Sequence, residues 1–283
     1  MKKILLLCCS LSISGMMMAQ SALQVMTFNI RMNTSSDSLN AWPYRKDKVA
    51  SQVFFHQAHL LGVQEALHDQ MVDLQQRLPQ YKSLGVGRED GKTAGEYSAI
   101  FYDTTRLQLL EGHTFWLSET PEVAGSKGWD AAITRIVTWG KFRDRITKKI
   151  FFHFNTHFDH MGVVARRESA HFLLKQVQRI AGTTPAIITG DFNATPDDEP
   201  IRVVVDQQDP LHLTDSKSLS RTPHYGPDGT FNGWHIAERE DQPIDYIFLK
   251  GRFVVQQHAT ISETWKGRYA SDHFAVLSRL LLQ

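Results

Sequence analysis

The stretch Ile187-Ile188-Thr189-Gly190-Asp191-Phe192-Asn193-Ala194-Thr195-Pro196 decides the reading of this chain. An apolar strand runs into a glycine, and an acid and an amide follow two residues apart. Alternation at a strand end places Asp191 and Asn193 on one face. A carboxylate beside a carboxamide can grip a phosphate together with its divalent cation. On its own the stretch also fits an ordinary turn. Other acids, amides and histidines at strand ends, in a fixed order along the chain, shift the balance.

Glu65 closes Leu61-Gly62-Val63-Gln64-Glu65, and Asn29 lies in Thr27-Phe28-Asn29-Ile30-Arg31. Taken singly, these read as a solvated acid and a turn-capping amide. Taken with Asp191 and Asn193, they form an all-oxygen set. Hard oxygen ligands with few carboxylates suit Mg²⁺ or Mn²⁺ that keeps several waters and meets a substrate phosphate.

Phe151-Phe152-His153-Phe154-Asn155-Thr156-His157-Phe158-Asp159-His160 is the second informative run. Alternation puts His153, Asn155 and His157 on one face and Phe152, Phe154 and Phe158 on the other. One face reads as core and the other as polar. His153, His157 and His160 also permit zinc, but their spacing is not that of a helical HExxH site, and the carboxylate–amide set better fits magnesium. Near the C-terminus, Ser271-Asp272-His273 precedes an apolar strand, and Pro243-Ile244-Asp245-Tyr246 begins another. A histidine held by an aspartate is a common general base. Gly91-Lys92-Thr93 is not a phosphate-binding loop, because Val86 stands where that motif needs glycine.

The 283 residues fit one large domain, with no linker, repeat or low-complexity run. Lys2-Lys3, the apolar run Ile4 to Met18 and Ala19 read as an export signal cleaved after Ala19, leaving 20–283 as the catalytic domain. Cys8 and Cys9 both fall in this signal, so the mature chain has no disulfide or thiolate site. Leu6-Leu7 before Cys8 disfavours a lipoprotein, and a soluble periplasmic or secreted protein is expected. Without Lys2 and Lys3 the chain carries 29 basic and 30 acidic residues, which gives little long-range pull toward duplex DNA.

Period and composition place strands at 23–30, 60–64, 81–86, 97–102, 107–116, 133–142, 150–158, 186–189, 244–249, 253–261 and 274–280. Helices are expected at 44–58, 70–78 and 166–180. Long strand-only stretches favour a mixed sandwich over a doubly wound parallel sheet.

Seven blocks resemble, in order, the endonuclease/exonuclease/phosphatase superfamily, the fold of deoxyribonuclease I. They are TFNIR (Thr27 to Arg31), VQE (Val63 to Glu65), EYSAIFYD (Glu96 to Asp103), NTHFDH (Asn155 to His160), GDFNATP (Gly190 to Pro196), IDYIF (Ile244 to Phe248) and SDHFAV (Ser271 to Val276). The resemblance spans nearly the whole mature chain. It implies an α+β, four-layer α/β/β/α sandwich: two mixed β-sheets face to face with helices outside.

It also implies roles. Glu65 looks like the main magnesium ligand, with Asn29 and Asp272 beside it. Asp191 and Asn193 would position water and phosphoryl oxygens, His273 oriented by Asp245 would be the general base, and His157 would stabilise transition-state charge. Asn155, Arg135 and Arg166 are candidates for substrate contact, as are Trp116 and Trp129 by stacking. NTHFDH with Arg166-Arg167-Glu168-Ser169-Ala170 looks closest to the deadenylase-like branch related to carbon catabolite repressor proteins. Ala194-Thr195 and Asp245-Tyr246 depart from the inositol-polyphosphate 5-phosphatases.

The expected function is magnesium-dependent hydrolysis of a phosphodiester, nuclease-like, on a nucleic acid or nucleotide. Alternatives are a phosphomonoesterase on a sugar or inositol phosphate and a sphingomyelinase-like enzyme. A non-catalytic binding protein on the same fold is disfavoured, because Glu65, Asp191 and His273 are all present. No obligate protein partner is evident.

Overall fold

Alternation along the first strand sets the layering. In β1 (Leu23–Asn29), Met26 and Phe28 join one apolar cluster, while Leu23 and Val25 join another on the opposite side. Each strand of a four-layer sandwich must bury both faces, one under helices and one under the facing sheet.

The computed structural model describes residues 22–236 and 241–283, and the export signal read at 1–19 lies outside the described residues. Beside β1, the first sheet contains β2 (Leu60–Ala66), β3 (Tyr81–Leu84), β4 (Tyr97–Asp103), β11 (Phe253–Ile261) and β12 (Ala275–Leu282). Their order is β11-β12-β1-β2-β4-β3. The second sheet contains β5 (Leu107–Trp116), β6 (Ile136–Asp144), β7 (Ile150–His157), β8 (Ala186–Asp191), β9 (Thr214–Asp215) and β10 (Asp245–Lys250), in the order β5-β6-β7-β8-β10-β9. Both sheets are mixed: β1–β2 and β7–β8 are parallel, and β1–β12 and β8–β10 antiparallel.

Helices α1 (Lys46–Phe55) and α2 (His68–Arg77) cover the first sheet through Val49, Val53, Met71 and Leu74. Helices α3 (Val163–Ala181) and α4 (Glu199–Val205) cover the second through Leu173, Val177, Ile201 and Val204. Helix α4 carries no clear apolar period in the sequence. It is set instead by Pro200 in its first turn and by packing on α3. The helix expected from Tyr44 starts at Lys46, because Pro43 holds Trp42–Tyr44 in a 3₁₀ turn.

The layer between the sheets changes character along the strands. At one end it is apolar, built from Val25, Leu60, Ile100, Phe151, Ile187, Ile247 and Leu280. Toward the other end it becomes polar, and Thr27, Gln64, His153, Asn155 and Thr189 are all fully buried there. The polar face expected on β7 is therefore this inner layer, not a solvated surface.

A break in the β2–β4 ladder controls that layer. Val63 pairs with Ala99, but the next pair is Ala66 with Tyr97, so β2 holds one extra residue. Glu65 lies in this bulge with φ of 62°, a conformation costly for a side-chain-bearing residue. Asn155 Nδ2 reaches across from β7 and donates to the carbonyls of Val63 and Ala99, both at 2.9 Å. Its Oδ1 accepts from Gln64 Nε2 at 2.7 Å and Thr189 Oγ1 at 2.9 Å. Both donors and both acceptor sites of the amide are thus used. Gly62 makes room for it, since a Cβ there would overlap Asn155 Oδ1 and Thr189 Oγ1.

This placement corrects the expectation that Asn155 contacts substrate, because its side chain is sealed between the sheets. Asn155→Ala should cost about 2–5 kcal/mol by stranding buried carbonyls and the amide of Gln64. Urea unfolding measures this. An unchanged midpoint with a raised KM would return Asn155 to the substrate.

Candidate active site

The side chains singled out in the sequence meet where several strands end. His157 ends β7 beside Asp191, which ends β8, and Asp191 lies opposite Asp245 at the start of β10. Asn29 closes β1. Its Nδ2 donates to Glu65 Oε1 at 3.0 Å and Asp191 Oδ2 at 2.9 Å, and lies 3.4 Å from His273 Nε2. Its Oδ1 accepts from the Arg31 backbone N–H at 3.0 Å. The structure thus turns the nitrogen of Asn29, not its oxygen, toward the carboxylates, so as placed it bridges them.

Asn193 reaches the site by a route the alternation argument missed. The strand stops at Asp191, and Asn193 adopts φ of 46° in the following turn. Its backbone N–H donates to Asp191 Oδ1 at 2.9 Å. Its Nδ2 then donates to the Phe158 carbonyl at 3.0 Å and to His157 Nε2 at 3.0 Å. Short Asx side chains tolerate this turn, which explains the acid–x–amide spacing better than strand periodicity does.

His273 Nδ1 pairs with Asp245 Oδ2 at 2.9 Å, and both are buried. Phe231 packs edge-on against the imidazole with centroids 5.0 Å apart. Asp272 and Glu65 share Arg31, which stands 3.7 Å from Asp272 Oδ2 and 3.8 Å from Glu65 Oε2. The Met32 N–H donates to Glu65 Oε2 at 3.1 Å. Arg45 holds this turn by donating to the carbonyls of Ile30, Arg31 and Met32.

Buried charges in this space perturb one another. Burial, then the charge of Asp245 directly opposite, pushes the Asp191 carboxyl up to about 7. Burial opposes protonation of His273, but the charge and hydrogen bond of Asp245 outweigh it and push the imidazole up to about 10. Burial works against the Glu65 carboxylate too. It is overcome by His273, Asn29, Met32 and Arg31, which hold Glu65 below its usual range. Burial, then Arg135 and Arg88, keeps His157 neutral. As placed, His157 Nε2 accepts from Asn193, so the proton sits on Nδ1.

Glu65, His157, Asp191, Asn193, Phe231, Asp272 and His273 line a cleft of about 420 Å³, together with Arg31, Glu96, Ile133, Arg135, His160 and Ile244, while Asn29 and Asp245 lie behind it. Arg135 is 3 % exposed. It lies 3.4 Å from Asp159 and 3.0 Å from His160 Nδ1, and its Nη1 has no partner. The remaining candidates are not brought here. Arg166 donates to the Asp159 carbonyl at 3.0 Å from α3. Trp116 is buried with Nε1 on the Arg88 carbonyl, and Trp129 does not line the cleft. His153 sits deep between the sheets on Thr189, away from His157 and His160, so the three histidines do not converge. Phe231 and Glu96 do line the cleft. Glu96 was legible as part of EYSAIFYD, while nothing near Phe231 marked it in the sequence.

The donor set fits a hard divalent cation. Among the described residues, Asp191, Asp245 and His273 bring ligand atoms within 4.8 Å of one another, and because Asp245 and His273 pair with each other, Asp191 is the member left to face a cation. Asp245 Oδ1 is buried without a partner, and Glu65 and Asp272 add carboxylate oxygens along the same cleft. Like-charged carboxylates held this close are relieved by a cation among them.

The family model for the endonuclease/exonuclease/phosphatase family matches residues 26–273. Among solved structures, an endonuclease/exonuclease/phosphatase from Bacteroides vulgatus is 40 % identical, covering 93 % of this chain and 100 % of that one, with a TM-score of 0.89. A mannosyl-6-phosphatase from Bacteroides thetaiotaomicron is 36 % identical, with coverage of 92 % and 100 % and a TM-score of 0.87. Nocturnin from Drosophila melanogaster is 24 % identical over 281 residues, 83 % of this chain, and the chain spans 41 % of its length. The chain belongs to the endonuclease/exonuclease/phosphatase family, whose members are phosphoester hydrolases.

Proposed function

We propose that this protein is an exported, divalent-cation-dependent phosphomonoesterase acting on a sugar phosphate. The observation that carries the hydrolytic reading is the convergence of Asn29, Glu65, Asp191, Asn193, Asp245 and His273 around one cleft. The choice of a monoester over the diester expected from sequence rests on likeness. The mannosyl-6-phosphatase shares 36 % identity over nearly all of both chains, and Nocturnin shares less over part of its own.

Glu65, Asp191 and Asp272 would hold Mg²⁺ or Mn²⁺. When bound, the cation would polarise a phosphoryl oxygen and offset the carboxylates that keep His273 protonated. The chain supplies the rest. Asn29 keeps Glu65 and Asp191 in register, and Asn193 presents its amide to phosphoryl oxygens from the turn fixed by Asp191. Arg135, which lines the cleft, adds positive charge for a further phosphate oxygen. Neutral His273, held by Asp245 through Nδ1, accepts the proton of the attacking water at Nε2 and later loses it to solvent, while the leaving alcohol departs on the opposite side of phosphorus and takes its proton from solvent.

Phosphate release from mannose 6-phosphate should require Mg²⁺ or Mn²⁺ and stop with EDTA. Turnover only of a diester such as bis(p-nitrophenyl) phosphate would restore the diester reading. A proton on Asp191 competes with the cation, so Mg²⁺ activation should tighten from about pH 6 to about pH 8. Activation curves across that range test it, and a pH-independent midpoint would remove Asp191 from the ligands.

His273→Ala should lower kcat about 10²–10⁴-fold with little change in KM. Asp245→Asn should fall in the same way, and the double mutant should lose no more than the worse single. Since Asp245 raises the proton affinity of His273, Asp245→Asn should also move the acid limb of the residual kcat profile to lower pH. Steady-state kinetics of the three variants decide; additive losses would dissolve the pair.

A further inference from the structure

The strand order ranks the site from one end to the other. In the first sheet β12, β1, β2 and β4 are successive neighbours, and in the second β10, β8, β7 and β6 are. The sheets stack so that β12 faces β10, β1 faces β8, β2 faces β7 and β4 faces β6. Side chains at these strand ends therefore stand in four ranks. His273 and Asp245 form the first, Asn29 and Asp191 the second, Glu65 and His157 the third. Glu96, just before β4, and Arg135, just before β6, form the fourth. Neighbouring strands lie about 4.8 Å apart, so three steps set Glu96 about 14 Å from His273.

In-line displacement puts the entering and leaving oxygens on opposite sides of phosphorus. On the proposed route His273 activates water in the first rank, so phosphorus sits over the middle ranks. The P–O bond that breaks then points toward the fourth. The leaving alcohol meets Glu96 and Arg135 there, with Ile133 two residues before Arg135 and His160 bonded to it.

Glu96 is a fixed acceptor at that end. Arg88 Nη1 and Nη2 donate to its two carboxylate oxygens at 2.8 and 2.7 Å. The Arg88 backbone N–H donates to the Glu96 carbonyl at 3.1 Å, and Trp116 Nε1 donates to the Arg88 carbonyl at 2.7 Å. Side chain, backbone and indole thus hold the carboxylate in one place. Each of its oxygens has two lone pairs, and Arg88 takes one from each. Among the described residues, the remaining two are left for hydroxyl donors in the cleft. Beside them His160 Nδ1 accepts from Arg135 Nη2 at 3.0 Å, so His160 Nε2 carries a proton to donate, and half-buried Ile133 adds apolar surface. We propose that Glu96 sets leaving-group specificity by accepting a ring hydroxyl of the sugar whose phosphate is removed. The inference rests on the monoester reading and names the residue that reads the alcohol.

Two measurements test it. The first compares kcat/KM of the full protein in Mg²⁺ for mannose 6-phosphate, its 2-, 3- and 4-deoxy derivatives, and p-nitrophenyl phosphate, which has no hydroxyl. At least one deoxy sugar should lose about 10²-fold or more with the unmodified chain. Glu96→Ala should lose a similar factor on mannose 6-phosphate, no longer distinguish that deoxy sugar from its parent, and lose far less on p-nitrophenyl phosphate. Glu96→Ala strands the buried Arg88, so Arg88→Met/Glu96→Leu removes the pair without leaving a lone charge and should give the same pattern. Equal losses on sugar and nitrophenyl substrates, or discrimination retained in both variants, would overturn the proposal. So would a loss reversed by raised Mg²⁺, which would make Glu96 a cation ligand.

The second measurement is independent of turnover. The methylene phosphonate analogue of mannose 6-phosphate, titrated calorimetrically in Mg²⁺, should bind about tenfold or more tightly than methylphosphonate and lose that margin in Arg88→Met/Glu96→Leu. Absence of a margin overturns the role of Glu96 even if phosphate is released from mannose 6-phosphate. A margin that depends on Glu96, without release from any monoester, supports that role and overturns the monoester reading instead.

Discussion

The side-chain amide of Asn155 joins the two sheets at the point where one of them breaks its own ladder. The extra residue in β2 turns Glu65 toward the cleft. Such a bulge costs hydrogen bonds and backbone strain, and a buried carbonyl without a partner is expensive. Asn155 meets that cost from the opposite sheet by taking the carbonyls of Val63 and Ala99, and Gln64, Thr189 and the bare backbone of Gly62 complete its seat. The aim of Glu65 in the first sheet is thereby tied to the place of β7 and β8 in the second. A residue outside the cleft sets the geometry within it.

The polar layer around Asn155 also explains why the site is at one end of the sandwich. The inner face is hydrocarbon at the far end and hydrogen-bonding groups near the cleft. Polar groups can be buried here because each strand end brings a partner for its neighbour. Past that layer the carboxylates crowd together without enough donors. Asp191 faces Asp245 across paired strands, which raises its proton affinity, and Asp245 in turn draws positive charge onto His273. The stability given up in this crowding is what a cation and a phosphate can recover on binding, a common trade at catalytic centres.

Much of the fold was legible because its elements carry strong local signals. The strands at Leu107–Trp116 and Phe253–Ile261 have the limits their apolar runs suggest. The face assignment within β7 also holds, since Phe152, Phe154 and Phe158 pack under α3 and His153, Asn155 and His157 turn inward. Helix α4 and the left-handed turn at Asn193 were not legible, because their conformations follow from packing and from an Asx hydrogen bond rather than from period.

The sequence by itself determined the family, the two-sheet architecture and the identities of the acids, amides and histidines at the strand ends, because ordered motifs and alternation are local properties. Only the tertiary structure decided which of those side chains share one space. It sealed Asn155 and His153 between the sheets, tied Arg166 to the turn after β7 and buried Trp116 on the Arg88 carbonyl. It brought Phe231 to the cleft. Strand alternation fixes a face but not a depth. Whether an inward residue is core, bridge or ligand depends on where its strand ends relative to segments as much as 244 residues away.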